Sequence, residues 1–227
     1  MDELRALESS VQKHYDDALA PIAKRLATGL PRSPHDAPSV PMVLFLGNHS
    51  SGKSSFINYL IGAPRQKTGL APTDDGFTVL TYGEREDELD GQSAVTHPSL
   101  ALHRLEKLGP TFLARMRLNT HPADILQSMS LVDSPGMIDA AGTASGRGYD
   151  FSAGVRAYAE MADLILFFFD PDKPGTTGET ISIFTETLSG LEHKLLIVLN
   201  KVDLFANIRD FARTYGTLCW NLSKTMQ

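Results

Sequence analysis

An α/β fold of the P-loop type, with a mostly parallel sheet covered by helices on both faces and further helices at its two ends, is predicted by three observations. Five short apolar runs, 42–46, 77–82, 129–132, 164–169 and 195–199, are separated in most cases by helix-length stretches. Strands that read as unbroken apolar blocks belong to a parallel sheet buried on both sides. The first run leads directly into a loop bounded by glycines and closed by Lys and Ser, Gly47-Asn48-His49-Ser50-Ser51-Gly52-Lys53-Ser54, and the last leads directly into Asn200-Lys201-Val202-Asp203.

In the N-terminal segment, 1–30, Leu4, Leu7, Val11, Tyr15, Ala18, Leu19, Ile22 and Leu26 recur at helical steps and trace one apolar stripe. Pro21 is expected to kink or split that helix. Residues 31–41 hold Pro31, Pro34, Pro38 and Pro41 among Ser, His and Asp, the composition of a linker. The α/β domain is expected over 42–205. Inside it the stretch 83–127 breaks the rhythm, acidic over 84–90 and helix-like over 100–118, and reads as an insertion in the sheet. A C-terminal helix within 206–227, with Phe211 and Trp220 in its core-facing stripe, is expected to pack with the N-terminal helix.

Composition narrows the function. The chain of 227 residues has 21 Lys and Arg against 27 Asp and Glu, a formal charge of -6. No global field favours nucleic acid or an anionic membrane, so nucleic acid is not an expected partner. A single cysteine, Cys219, excludes an internal disulfide and a multi-cysteine zinc site. No apolar run approaches the ~20 residues that cross a bilayer, and the start Met1-Asp2-Glu3-Leu4-Arg5 lacks secretory or transit character. The expected address is cytoplasmic, with peripheral membrane contact left open.

The loop 47–54 fits the Walker A spacing, which chance supplies in only about one percent of chains this long. Gly47, Asn48, Ser50, Ser51 and Gly52, with Lys53, Ser54 and Ser55 at the helix start, are the expected phosphate contacts. Backbone amides cradle the polyphosphate at a helix N-terminus, Lys53 meets the β- and γ-phosphate charge, and Ser54 ligates Mg²⁺. The pattern Asp-x-x-Gly occurs at Asp133, Asp139 and Asp172. Only Asp133-Ser134-Pro135-Gly136 combines a strand end with a following helix and strand, placing a carboxylate at Mg²⁺ and the Gly136 amide at the γ-phosphate. The other two read as turns. In Asn200-Lys201-Val202-Asp203 the carboxylate could accept both donors of guanine's Watson–Crick edge, with Lys201 along the ring and Asn200 bracing the loop. The remaining histidines show no metal-ligand spacing.

Further elements resemble one branch of the dynamin superfamily, the EHD-type ATPases and the related sarcalumenins. They are Pro41 to Gly47, Phe56-Ile57-Asn58-Tyr59-Leu60, Pro72-Thr73-Asp74, Arg147-Gly148-Tyr149-Asp150-Phe151, Phe169-Asp170-Pro171 and Tyr215-Gly216-Thr217-Leu218-Cys219-Trp220. The resemblance spans nearly the whole chain. It implies a dynamin-type G domain that dimerises across its nucleotide face, oligomerises on membranes and couples hydrolysis to membrane remodelling. It also implies a helical domain and further modules beyond the segments present, which would hold most of the membrane-binding surface.

Two departures from the family bear on the chemistry. Where the family reads Pro-Thr-Thr-Asp this chain reads Pro72-Thr73-Asp74-Asp75. Either Thr73 shifts by one position to ligate Mg²⁺ and orient water, or the Asp74 carboxylate reaches the metal, or hydrolysis is slow. His49 stands where classical dynamins carry Gln and EHD-type proteins an aromatic. It either orients the attacking water or packs over the phosphates. Arg147 is read either as a charge-neutralising finger or as a solvated side chain. The stripe Leu100, Leu102, Leu105, Leu108, Phe112 and Leu113 is either a family-like oligomer contact or an ordinary packed helix. The expected activity is Mg²⁺-dependent binding and slow hydrolysis of GTP or ATP, with catalytic roles for Lys53, Thr73, His49 and Gly136, and Ser54, Thr73 and Asp133 at the metal. The alternatives are a non-hydrolysing nucleotide-bound scaffold and a monomeric Ras-like switch.

Overall fold

The computed structural model describes residues 2–26, 40–64, 76–97, 100–137, 147–171 and 178–223. Seven strands form one sheet: β1 (Met42–Gly47), β2 (Thr78–Tyr82), β3 (Asp87–Asp90), β4 (Arg117–His121), β5 (Ser130–Asp133), β6 (Leu164–Phe169) and β7 (Leu195–Leu199). Their spatial order is β3-β4-β2-β5-β1-β6-β7. β1 pairs in parallel with β5 on one side and β6 on the other, and β6 pairs in parallel with β7. β2 runs antiparallel to β5 and parallel to β4, and β3 runs antiparallel to β4. All five predicted apolar runs are thus strands of one mostly parallel mixed sheet.

Alternation along β1 explains how the sheet is covered. Met42, Leu44 and Leu46 face one apolar cluster with Phe77, Tyr158 and Phe167, while Val43 and Phe45 face a second with Ile57, Leu131 and Phe168. Helix α3 (Lys53–Ile61) contributes Ile57 and Ile61 to the second cluster, and α6 (Phe151–Met161) packs Val155 and Tyr158 into the first. Asp150 caps α6 by accepting the Ala153 N–H at 2.9 Å, the usual satisfaction of an open helix start.

The stretch 83–127 departs from expectation, for it supplies two further strands, β3 and β4, and does not merely interrupt the sheet. β3 is an edge strand with mostly exposed Asp and Glu, and β4 reads Arg-Leu-Asn-Thr-His, so neither shows the apolar run that betrays a buried strand. The helix-like stretch over 100–118 is a 3₁₀ segment (Leu102–Leu108), a break at Gly109 with φ 86°, and α5 (Pro110–Arg115), with Pro110 at the first helical position. Leu100, Leu102, Leu105, Phe112 and Leu113 are buried in the first cluster. The stripe is therefore spent on the core, as an ordinary packed helix would spend it. Between β3 and the 3₁₀ segment a single turn forms α4 (Gly91–Ala94).

The last strand is less buried than its sequence suggests. Among the described residues β7 has a partner strand on one side only, and Leu196 and Ile197 are 53% and 36% exposed. At the N-terminus, α1 (Asp2–His14) and α2 (Ala20–Leu26) are joined through a π-helical turn, Tyr15–Leu19, in which the Ala20 N–H reaches back to the Tyr15 carbonyl. That widened turn lies directly before Pro21, whose ring crowds the preceding turn and which has no N–H to give. The helix is adjusted there and not split. Leu7, Val11, Leu19 and Ile22 are exposed, so the stripe lacks the helical partner expected for it among the described residues. The C-terminal helix, α8 (Ile208–Ser223), buries Leu218 and Leu222. Trp220 is 64% exposed and Phe211 stacks on Tyr215 at 5.8 Å, so these two rings do not fill the core as predicted. The reason is the helical phase, since the core-facing stripe runs through 218 and 222. Most of the linker 31–41 lies outside the described residues.

Tyr158 is fully buried, stacked on Phe77 with centroids 4.9 Å apart, and its hydroxyl has no hydrogen-bond partner among the described residues. An unpaired buried hydroxyl costs roughly 1–3 kcal/mol. Tyr158→Phe is therefore expected to unfold in denaturant at or above the wild-type midpoint; a clearly lower midpoint would show that the hydroxyl is satisfied.

Candidate functional site

The C-terminal ends of β5, β1, β6 and β7 lie along one edge of the sheet, because these four neighbours are mutually parallel. The described segments after β5, β1 and β7 meet there, in the crevice where α/β sheets bind ligands. The loop after β1 is the predicted phosphate loop. Gly52 adopts φ 97° and forms the N-terminal boundary of α3. A side chain there would be strained and would also strike the amide of Asn200. Asn200 donates from its amide to the Ser51 carbonyl at 2.9 Å, so the residue expected to brace the loop does so from the end of β7.

Lys53 lies in the first turn of α3 and is 5% exposed. Its ammonium donates to the Gly47 and Asn48 carbonyls at 3.0 and 3.3 Å. Burial lowers its pKa, and the Asp133 charge partly offsets that. With carbonyls as its hydrogen-bond acceptors and Asp133 acting only through its charge, the cation is incompletely neutralised, and a polyphosphate would satisfy it.

Ser54 and Asp133 meet as the sequence requires. The Ser54 hydroxyl donates to Asp133 Oδ2 at 2.6 Å, joining α3 to the end of β5. Two hard oxygen donors side by side fit Mg²⁺, which takes few protein ligands and completes its octahedron with phosphate and water. Among the described residues no cluster of three His, Cys, Asp or Glu could hold a metal unaided. Thr73, the third expected ligand, and Asp74 lie outside the described residues.

The loop after β5 is zipped to the phosphate loop. Met137 N–H donates to the Gly47 carbonyl at 3.2 Å and His49 N–H donates to the Met137 carbonyl at 3.0 Å. Gly136 sits so close that an added Cβ would lie 2.7 Å from His49 Cα, which no side chain tolerates. His49 has Nδ1 2.8 Å from the Ser50 hydroxyl, and Ser50 adopts φ 64°. At the opposite end, Lys201 (φ 55°) donates to the buried Asp170 carboxylate at 2.7 Å. Asp203 is exposed on the 3₁₀ turn Val202–Leu204, and Ser55 is exposed on α3.

Three residues at the site were not singled out from sequence for a role. Asp170 fixes Lys201; Thr180, in α7 (Gly178–Ser182), donates to the Asn48 side-chain oxygen at 2.6 Å; and Glu179 pairs with Arg147. Arg147 is 6% exposed, contrary to the solvated reading. Only a motif spanning the end of β6 and the segment after it could have revealed them, because isolated Asp, Glu and Thr carry no spacing signal.

The fold and the convergence of a glycine-bounded loop, an Asp-x-x-Gly and an Asn-Lys-x-Asp on parallel strand ends define a P-loop nucleotide-binding domain of the G-domain class. Residues 43–202 match the dynamin family, and the chain belongs to that family. It is 36% identical over 231 residues to EH domain-containing protein 2 of Rattus norvegicus, covering 99% of this chain and 42% of that protein. It is 32% identical over 227 residues to EH domain-containing protein 2 of Arabidopsis thaliana, covering 99% of this chain and 39% of the relative. The chain thus spans about two-fifths of the length of these relatives, and its G domain is of the EHD type that the motifs suggested. Among solved structures, a chain from "An oligomerised bacterial dynamin pair provides a mechanism for the long range sensing and tethering of membranes" superposes with TM-score 0.58 at 18% identity, covering 100% of this chain and 35% of that one. That likeness confirms the fold. No described helix is long and apolar enough to cross a membrane.

The buried Lys53 makes stability and binding oppose each other. Because its pKa is lowered on folding, the unfolded chain binds more protons, and stability rises as pH climbs toward the ordinary lysine value of about 10.4. Lys53→Met is expected to unfold at or above the wild-type temperature near neutral pH without nucleotide, with the gap closing at higher pH, while nucleotide affinity falls by about 100-fold or more. A variant that melts lower yet binds equally well would refute the assignment.

Proposed function

We propose that this G domain binds a purine nucleoside triphosphate with Mg²⁺ and hydrolyses it slowly, without a covalent intermediate. The observation that carries the reading is the meeting of Lys53, Ser54, Asp133 and the Gly136 loop at one crevice, with Asn200 bracing the phosphate loop. Mg²⁺ held at Ser54 Oγ and Asp133 would spread the charge developing on the β- and γ-phosphates. The chain's own residues do the rest. Lys53 exchanges its carbonyl partners for phosphate oxygens, loop amides cradle the β-phosphate, and the Gly136 amide faces the γ-phosphate. His49 borders the γ-phosphate position, where its imidazole would orient the attacking water, with Thr73 as the candidate ligand from the first switch.

Base choice rests on the far end. Asp203 offers the carboxylate that guanine's two donors require, and the Asp170 ion pair holds Lys201 where its stem can lie along a ring. The EHD-type likeness points instead to adenine. Coupling of hydrolysis to membrane remodelling through self-association is proposed from the same likeness and from the oligomerised, membrane-tethering bacterial pair whose fold is shared. A second reading, a nucleotide-bound scaffold without turnover, is favoured by Asp74 standing where the family has Thr.

Phosphate release with Mg²⁺, with and without anionic liposomes, separates the two readings. Slow turnover that disappears in Lys53→Ala is expected, and no turnover under any condition would leave only the scaffold. Competition of ATP and GTP against one fluorescent nucleotide reports the base. Asp203→Asn is expected to change the ratio of the two affinities by about tenfold, and an unchanged ratio would remove Asp203 from the base site.

A further inference from the structure

Arg147 closes a ring of contacts around the γ-phosphate end of the site, and the nucleotide reading makes no use of it. Its Nη1 donates to Glu179 Oε1 at 2.6 Å, and its Nη2 donates to Glu179 Oε2 at 3.2 Å and to the Gly136 carbonyl at 2.9 Å. The guanidinium carbon lies 4.0 Å from the centroid of the Phe151 ring. The planar fork is thus fixed on one face by an aromatic ring and on its edge by a bidentate carboxylate, a geometry that guanidinium supplies and ammonium does not.

From Arg147 the contacts run in two directions and meet again. Through Gly136 they reach the peptide between Gly136 and Met137. The carbonyl of that peptide is held by Arg147 and its N–H by the Gly47 carbonyl at 3.2 Å. Through Glu179 they reach its neighbour Thr180, whose hydroxyl donates to the Asn48 side chain at 2.6 Å. The phosphate loop, the Asp133–Gly136 loop and the start of α7 are therefore one closed circuit with Arg147 as its link. A buried ion pair adds little net stability against well-packed apolar groups. Its worth here is that it fixes one peptide plane beside the phosphate loop.

We propose that Arg147, locked by Glu179, is a positioning residue: by fixing the Gly136–Met137 peptide, whose own N–H is taken by the Gly47 carbonyl, it holds the backbone at Gly136 so that the Gly136 N–H, on the preceding peptide, faces the γ-phosphate, and it makes the start of α7 part of the triphosphate-sensing wall. This rests on the nucleotide-binding reading above. It implies a selective effect. A diphosphate, which ends short of Gly136, does not need the circuit, and a triphosphate does. The state of the γ-phosphate is thereby passed to α7, a segment far along the chain from either phosphate motif.

The test compares the affinities of the Mg²⁺ diphosphate and a non-hydrolysable triphosphate of the same base, for the full chain and its Arg147→Lys, Glu179→Gln and doubly substituted forms, alongside thermal unfolding without nucleotide. Each single variant is expected to lose about tenfold in the triphosphate-to-diphosphate affinity ratio, with the double variant no worse than the singles because both break one circuit. Glu179→Gln preserves side-chain shape and decides the matter if Arg147→Lys fails to fold. An unchanged ratio, or equal loss for both nucleotides in step with a lower melting temperature, would overturn the proposal and leave Arg147 a packing residue. A wild-type chain that binds neither nucleotide would instead overturn the site reading itself.

Discussion

Four adjacent strands that run the same way, β5, β1, β6 and β7, end on the same edge of the sheet, and each ends in a residue or loop that the site requires. Parallel pairing is what brings Asp133, Lys53, Asp170 and Asn200 together from positions far apart in sequence. The register opposes Phe45 to Asp133 and Gly47 to Phe168, so the phosphate loop leaves β1 between the two neighbours that flank it. Were β5 to slip by one residue, Asp133 would turn to the other face and Ser54 would lose its partner.

On that frame the site stores polar tension. Lys53 is buried against carbonyls, the Ser51 hydroxyl is buried without a hydrogen-bond partner among the described residues, and Ser50 and Lys201 hold positive φ. Each is unfavourable for folding alone and is tolerated because the apolar clusters beneath are extensive. The Lys53 ammonium and the Ser51 hydroxyl are also groups that a charged, multi-oxygen ligand would relieve. On the proposed reading, specificity is divided by distance: contacts near Gly136 would address the phosphate tail, and those near Lys201 and Asp203 the base.

Much of this was legible in sequence, and what was not has identifiable causes. Buried parallel strands announce themselves as apolar runs, and tight turns demand glycine at fixed spacing, so the five strands were readable, as was the motif spacing of Gly47, Gly52, Asp133 and Asn200, which the parallel strands bring to one edge of the sheet. β3 at the edge and β4 beside it are only partly buried and read as acidic and polar, which is why they were hidden, while the edge strand β7 is an apolar run that looked more buried than it is. Helical phase is set by packing and not by residue type alone, and so Trp220, an aromatic at helical spacing, faces outward while Leu218 and Leu222 face in. Arg147 read as solvated because its neighbours in sequence are Gly and polar residues. Its carboxylate partner is 32 residues away, a pairing that no local pattern encodes.

On the proposed reading, amides of one glycine-bounded bend and the buried ammonium of Lys53 receive the tail of a triphosphate. Isothermal titration of the chain with a purine triphosphate at saturating Mg²⁺ tests it most directly. Saturable heat at one site per chain is expected with ATP, GTP or both, and silence with both nucleotides would rule the site out.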